Sequence, residues 1–135
     1  MTRIHTYLTF NGNCREAMTF YRDCLGGELS LQTIGESPMA DQLPPPMKDS
    51  ILHATLTKDA FVLMGSDMAC DDGLIRGNAV SLMLDCNTEN DIRLFYEKLS
   101  DNGKKDHPLE QTFWGALFGD VTDQFGNHWL LHYQK

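Results

Sequence analysis

The sequence predicts an α+β fold made of two tandem βαβββ units, and its internal repeat is the main reason. An amphipathic helical segment that contains the pair Phe-Tyr occurs twice, with Phe20-Tyr21 in the first copy and Phe95-Tyr96 in the second. A strand-like stretch precedes each helical segment, and three more strand-like stretches follow it. Such a recurrence indicates an internal duplication, in which each helix covers one face of a sheet.

Length and composition predict one domain rather than two. The chain has 135 residues, of which 41% are hydrophobic and 22% are charged, and this is enough for a single shared core. The 11 Lys and Arg and the 19 Asp and Glu give a net charge of −8. A chain this acidic is not expected to bind nucleic acid or an anionic membrane surface. The first residues lack a secretory pattern, which predicts a cytoplasmic protein.

The first unit is predicted over residues 4–67. It opens with the strand Ile4–Phe10, and the helix that follows carries an apolar stripe with a period of about 3.6 residues. Asn13 is expected to cap this helix and Gly26-Gly27 to end it. The last two strands of the unit are separated by a link short enough for a hairpin. Three strands complete the unit: Glu28–Ile34, Ile51–Thr57 and Phe61–Ser66.

The second unit, predicted over residues 78–134, repeats this design. The strand Ala79–Asp85 leads into a helix for which Thr88 is the expected cap and Gly103 the terminator. Three strands are again predicted to follow: a short one near Pro108–Gln111, then Gly115–Thr122 and His128–Tyr133. Residues 68–77 are predicted to link the units within one fold.

A proline-rich segment interrupts the first unit. Residues 37–49 contain most of the prolines of the chain and show no strand or helix period. The sequence therefore predicts a long irregular loop here, and loops of this length are often functional.

Several short motifs along the chain resemble one family. Asn11-Gly-Asn-Cys-Arg-Glu-Ala overlaps the start of the first helix, and Trp114-Gly-Ala precedes the final turn, Asp123-Gln-Phe-Gly-Asn-His-Trp. With the βαβββ repeat, these motifs resemble the vicinal oxygen chelate superfamily, and within it the PhnB-like, glyoxalase-like branch. The resemblance implies mixed and antiparallel sheets that curve around a cleft, as in glyoxalase and bleomycin-resistance proteins. It also implies a homodimer that takes a small molecule as ligand.

The resemblance further implies a divalent metal with four ligands, one from the first and one from the last strand of each unit. His5 occupies the first of these positions. Met64 and Leu130 stand where the family has Glu, and Asn78 to Val80 stand where it has a second His. Enzyme metal sites usually need about three protein ligands, so this set is incomplete and no metal ligand is assigned. Other donors could supplement His5: His53, His132, Ser66 and Asp67.

Proton transfer is the chemistry that the polar residues favour. His5 and His53 are the predicted catalytic residues, because an imidazole can act as acid or base near neutral pH. His53 shares a strand face with two threonines in an otherwise apolar strand. The predicted substrate-binding residues are those expected to face the cleft: Tyr7, Thr55, Met64, Ser66, Trp114, Leu130 and His132.

Two functions stay open at this point. The first is an enzyme of lyase, isomerase or dioxygenase type that acts on a small organic molecule in the cleft of the paired units. The second is a non-catalytic, metal-free binding protein of the drug-sequestering type, because binding needs shape and desolvation but no Lewis acid. The sequence carries no dinucleotide, nucleoside triphosphate or serine hydrolase motif. A methyltransferase is not expected, because no Rossmann-type unit is predicted.

Overall fold

In the part of the chain that the structure describes, each half folds as one α-helix against one four-stranded sheet. The computed structural model describes residues 1–67 and 73–135. It divides into two units, Met1–Ile75 and Arg76–Lys135. Half of the predicted linker, residues 68–72, lies outside the described residues. Among the helices described, none is long and apolar enough to cross a membrane.

The first unit contains one parallel and two antiparallel strand pairs. Its elements are β1 (Thr6–Thr9), α1 (Cys14–Leu25), β2 (Glu28–Thr33), β3 (Ile51–Lys58) and β4 (Phe61–Ser66). The strand order is β1-β4-β3-β2, in which β1 runs parallel to β4. The predicted hairpin between β3 and β4 is present. The predicted irregular loop contains one short 3-10 turn, Pro45–Met47.

The second unit has the same topology. Its elements are β5 (Leu82–Cys86), α2 (Glu89–Leu99), β6 (Lys104–Gln111), β7 (Leu117–Thr122) and β8 (His128–Tyr133). The strand order is β5-β8-β7-β6, and β5 runs parallel to β8. The predicted α+β fold with a repeated βαβββ unit is therefore confirmed.

The helices bury the apolar stripes that the sequence predicts. Tyr21 of α1 is fully buried, and its counterpart Tyr96 of α2 is buried as well, whereas the preceding phenylalanines are only half-buried. Met18 and Ile92 are also fully buried, and burial of such a side chain contributes about 1.5–3 kcal/mol. The Phe-Tyr repeat therefore marks the line along which each helix packs on its sheet.

The two helix starts differ in their caps. The hydroxyl of Thr88 accepts the Asp91 N–H at 3.0 Å, as predicted. Asn13 stands at the N-cap position, as predicted, but its side chain makes no capping bond. Instead, the carboxylate of Asp67, directly after β4, accepts the Cys14 N–H at 2.9 Å. A side chain from the end of a strand thus caps the helix that packs on the same sheet.

The two parallel strand pairs relate the units through Met64 and Leu130, the two positions where the resemblance places Glu. In the ladder of β1 with β4, Tyr7 is paired with Met64, and in the ladder of β5 with β8, Met83 is paired with Leu130. Ser81, two residues before Met83, therefore corresponds to His5, two residues before Tyr7, whereas the spacing of the helical motifs places Val80 there. β5 also begins later than predicted, because residues 79–81 precede the ladder.

Each sheet has one face towards its own helix and a second face, called here the helix-free face. On β8, Trp129 and Leu131 are buried, and α2 contacts this strand. Trp129 and Leu131 therefore belong to the core. Strand alternation directs His128, Leu130 and His132 to the opposite, helix-free face.

Candidate functional site

The helix-free face of the second sheet gathers polar side chains from three strands. Residues that are paired across neighbouring strands point to the same face. Leu130 of β8 is paired with Asp120 of β7, and Asp120 is in turn paired with His107 of β6. Thr122 is paired with His128 in the same way. One acidic and two imidazole side chains therefore meet beside Leu130.

Asp120 lies at the centre of this group, between two imidazoles. Its Oδ1 is 2.6 Å from Nδ1 of His107, and its Oδ2 is 2.6 Å from Nε2 of His128. Asp120 is only 7% exposed. A carboxylate accepts hydrogen bonds, so both imidazoles donate an N–H to it. This arrangement fixes the ring orientation of both histidines.

Further side chains extend the group on both sides. The Ser81 hydroxyl is 2.6 Å from Nδ1 of His128, so both nitrogens of that ring have a partner. Asp106 of β6 accepts the Thr122 hydroxyl at 2.7 Å, and its Oδ2 is 3.8 Å from Nε2 of His128. We call Ser81, Asp106, His107, Asp120 and His128 the Asp-His cluster.

An open pocket of about 450 Å³ adjoins this cluster. Phe118, Leu130 and Pro108 provide apolar walls, and His107 and Asp120 provide polar groups at its edge. Pockets for small molecules commonly have this volume and this mixture of apolar walls with a few polar groups. The pocket is therefore suited to a small organic ligand.

A second histidine–aspartate pair lies on the same face. His132 Nδ1 is 2.9 Å from Oδ1 of Asp85, and the His132 ring lies 6.5 Å from the Phe118 ring. The Asp85 side chain is 77% exposed, so water competes for this pair. Leu130 and His132, both predicted to bind substrate, therefore lie on the face that carries the Asp-His cluster.

On the first sheet, the structure brings together four of the predicted residues. Tyr7 and Thr55 are each paired with Met64, so all three point to the helix-free face. The ring of His53 lies between the Tyr7 and Thr55 hydroxyls. Its Nδ1 is 3.4 Å from the Tyr7 hydroxyl, and its Nε2 is 3.1 Å from the Thr55 hydroxyl. His53 is half-buried. This group is the candidate site of the first unit.

Three other predicted residues lie at strand ends or in a turn. His5 is exposed and precedes β1, and Ser66 is buried at the end of β4. Trp114 lies in the turn between β6 and β7. Its ring packs edge-on against Phe113 at 4.7 Å. Gly115, with a φ of 91°, closes that turn.

The metal that the resemblance implies does not fit the residues at the expected positions. Met64 has only a weakly coordinating thioether, and Leu130 has no donor atom. Ser81, which corresponds to His5 in the repeat, offers a hydroxyl in place of an imidazole. Asp67 is also not available, because both of its carboxylate oxygens accept backbone N–H groups. Within residues 1–67 and 73–135, only Asp106, Asp120 and His128 form a metal-compatible group of three.

Sequence reasoning assigned a site role to none of the five members of the Asp-His cluster. One signal for them was present, since Asp120 is a carboxylate in a strand otherwise composed largely of buried residues. Because side chains alternate along a strand, Asp120 had to share a face with Phe118 and Thr122. The predicted strand at β6 is too short, because the polar start of β6, which holds Asp106 and His107, carries no strand pattern.

Comparisons with known proteins agree with this fold. The family model of the Glyoxalase/Bleomycin resistance protein/Dioxygenase superfamily matches residues 3–131. Protein YjdN of Escherichia coli (strain K12) is 32% identical over 142 residues, which covers 96% of this chain and 93% of YjdN.

Two solved structures are similar over nearly the whole chain. Protein PA1353 from Pseudomonas aeruginosa is 36% identical with a TM-score of 0.87, and the match covers 99% of this chain and 98% of that one. The PhnB protein from Bacillus cereus is 27% identical with a TM-score of 0.75, and the match covers 98% and 99% of the two chains.

Proposed function

We propose that this chain, which belongs to the glyoxalase/bleomycin resistance protein/dioxygenase superfamily, binds a small organic molecule on the helix-free face of its second sheet and transfers a proton on it. The observation that carries this proposal is the buried Asp120 carboxylate, held at 2.6 Å from each of two imidazoles beside an apolar pocket. A binding surface and an acid–base group thus occur together.

His107 is the proposed general base. Its Nδ1–H donates to Asp120, so the neutral ring has its lone pair on Nε2. An aspartate in this position holds the imidazole in one tautomer and stabilises the imidazolium that forms when the ring takes up a proton. The His107 side chain is 78% exposed and lines the pocket, so a ligand can reach it. Asp120 acts through His107 and is a positioning residue.

The pocket also favours a class of substrate. Its apolar walls, including Phe118 and Leu130, suit the carbon skeleton of a small molecule. Asp120 and Glu110 place negative charge in the lining, which disfavours a carboxylate ligand. A neutral carbonyl compound with an acidic C–H next to the carbonyl group fits both features. The proposed reaction is removal of that proton by His107 and its return to a neighbouring atom.

The first unit supports a separate role in ligand binding. His53, held between Tyr7 and Thr55, remains a proposed contact for ligand, and His5 remains a proposed acid–base residue. His53→Ala is expected to weaken binding of a compound found by screening, with a nearly unchanged melting temperature. Unchanged affinity would remove His53 from the proposal.

A metal-free binding protein is the second candidate function. The observation that favours it is the presence of Met64 and Leu130 at positions where the resemblance implies acidic metal ligands. No step of the proposed proton transfer passes through a metal. A chain that binds neutral carbonyl compounds without exchanging their protons would be a binding protein of this second kind.

Proton exchange measured by NMR tests the two functions against each other. A panel of neutral α-hydroxyketones and methyl ketones is incubated with the protein in deuterated buffer, and loss of the signal next to the carbonyl group is followed. General acid–base catalysis contributes about 100- to 10,000-fold, so His107→Asn and Asp120→Asn should slow exchange at least about 100-fold. Asp101→Asn, at an exposed turn, is the matched control. Exchange that survives in His107→Asn would refute the assignment of the base.

A further inference from the structure

We propose that Asp106, Asp120 and His128 bind one divalent transition-metal ion. Oδ or Nε2 atoms of these three residues all lie within 4.8 Å of one another. Ligand atoms bound to one such ion, each at about 2.1 Å from it, are up to about 4.2 Å apart. Small side-chain rotations therefore suffice to close the three groups around an ion. The inference does not depend on the proposed function.

Two hydroxyl groups already orient the ligand atoms. Ser81 Oγ lies 2.6 Å from Nδ1 of His128, and Thr122 donates to Oδ2 of Asp106 at 2.7 Å. Histidines that bind metals commonly donate their second N–H to such a partner. When the ring proton of His128 is on Nδ1, Ser81 accepts it and Nε2 becomes free to bind the ion in place of the present bond to Asp120.

The charges around the cluster favour a cation. Oδ2 of Asp106 and Oδ2 of Asp120 both approach Nε2 of His128, at 3.8 and 2.6 Å. The two carboxylates are mostly buried, with side chains 18% and 10% exposed. Lys104 lies 3.7 Å from the other oxygen of Asp106, but its side chain is 78% exposed. Lys104 is close to only one of the two carboxylates, whereas a divalent ion would neutralise both of them.

The donor set selects the kind of ion. Two carboxylates and one imidazole suit zinc, manganese or iron in the divalent state. Calcium needs about six to eight oxygen ligands, and magnesium mostly keeps its waters, so both should bind more weakly here. The three ligands come from β6, β7 and β8. None of them occupies a position that the resemblance implies: Asp106 and Asp120 lie on inner strands of the unit, and His128 lies on its last strand but two residues before Leu130.

The test uses untagged, chelator-treated protein with Mn²⁺ or Zn²⁺ alone. Isothermal titration with Zn²⁺ should show one site per chain, with binding weaker for Mg²⁺. Mn²⁺ should broaden the backbone NMR signals around Asp106, Asp120 and His128 before others. Asp106→Asn and His128→Asn should abolish this pattern, and Ser81→Ala should weaken affinity about 10- to 100-fold, as loss of an orienting partner does.

Matched variants separate this site from nonspecific binding of metal ions to the acidic surface. Asp85→Asn removes a carboxylate from the second, exposed histidine–aspartate pair on the same face and should leave affinity unchanged. His107→Asn should keep Zn²⁺ binding even though it stops the proposed proton exchange, so the two proposals can fail separately. Equal Zn²⁺ affinity in the wild type and in folded Asp106→Asn, or Mn²⁺ broadening centred on Asp85, would overturn the inference. So would the absence of Zn²⁺ binding at millimolar concentration.

Discussion

Replacement of Asp67 should strongly destabilise the first unit, because this side chain at the end of β4 accepts three backbone N–H groups. Its carboxylate accepts the N–H groups of Gly12, Cys14 and Ile51 at 3.0, 2.9 and 2.8 Å. Cys14 and Ile51 are fully buried, so water cannot replace the lost acceptor there. A buried donor without a partner costs about 1–3 kcal/mol, and Asp67→Ala should therefore lower the free energy of unfolding by about 4 kcal/mol. This is a large part of the 5–15 kcal/mol typical of a domain.

Urea unfolding of graded variants tests this reasoning. Asp67→Asn keeps one oxygen that can accept the Cys14 N–H, but its amide N–H₂ then faces the Ile51 N–H. Loss of this one buried acceptor should lower the free energy of unfolding by about 2 kcal/mol. Asp120→Asn is the comparison variant, because the Asp120 carboxylate bonds to two imidazoles and to no backbone N–H. The Asn side chain can keep an acceptor for His107, so Asp120→Asn should lower the free energy of unfolding by less than Asp67→Asn does. Equal stability of Asp67→Ala and the wild type, or a greater loss in Asp120→Asn than in Asp67→Asn, would refute the capping argument.

Three further predictions concern thiols, alkaline pH and assembly. Burial, together with the charge of Asp67, raises the pKa of the Cys14 thiol to about 12, and burial raises the pKa of the Cys86 thiol to about 11. After treatment with an alkylating reagent at pH 8, peptide mapping should find both thiols unmodified in native protein and alkylated in urea. Burial also raises the pKa of the Tyr96 hydroxyl. The buried, neutral hydroxyl therefore contributes its full stabilisation below about pH 10, the pKa of tyrosine in the unfolded chain. This stabilisation is lost as pH rises through the pKa of Tyr96 in the folded protein. Tyr96→Phe should remove this alkaline loss. The homodimer implied by the resemblance predicts twice the chain mass in light scattering, and a monomer at micromolar concentration would contradict it.

The helices and most strands could be predicted because their signals are local. A helix that packs on a sheet must show an apolar stripe, and the Phe-Tyr pairs mark that stripe in both units. The start of β6 has no such signal. Residues 104–107 read Lys-Lys-Asp-His, and most of them are exposed, so their pairing with β7 follows from backbone hydrogen bonds that any residue can make. The predicted strand therefore begins too late, at Pro108.

The cap of α1 and the members of the site depend on contacts between distant residues. Asn13 has the right residue type at the right place, but Asp67 reaches the same N–H groups from 53 residues further along the chain. In the same way, His107 and Asp120 meet only because β6 and β7 pair in one register. Sequence alternation gives the face of each residue on its strand, but it does not give the neighbour opposite. The histidines that could be predicted as candidates, such as His53, were those whose own strand had a clear alternation.

The partners of the buried aspartates distinguish support of the fold from a functional site. Asp67 and Asp123 accept backbone N–H groups, and Asp123 also accepts the Trp129 indole N–H at 2.8 Å. Any chain with these turns needs such acceptors, so folding accounts for both residues. The Asp120 carboxylate instead accepts from two imidazoles. A buried polar group of this kind can often be replaced by apolar side chains without loss of stability, so the fold alone does not require it. Its position beside the pocket lined by Phe118 and Leu130 favours a role in function.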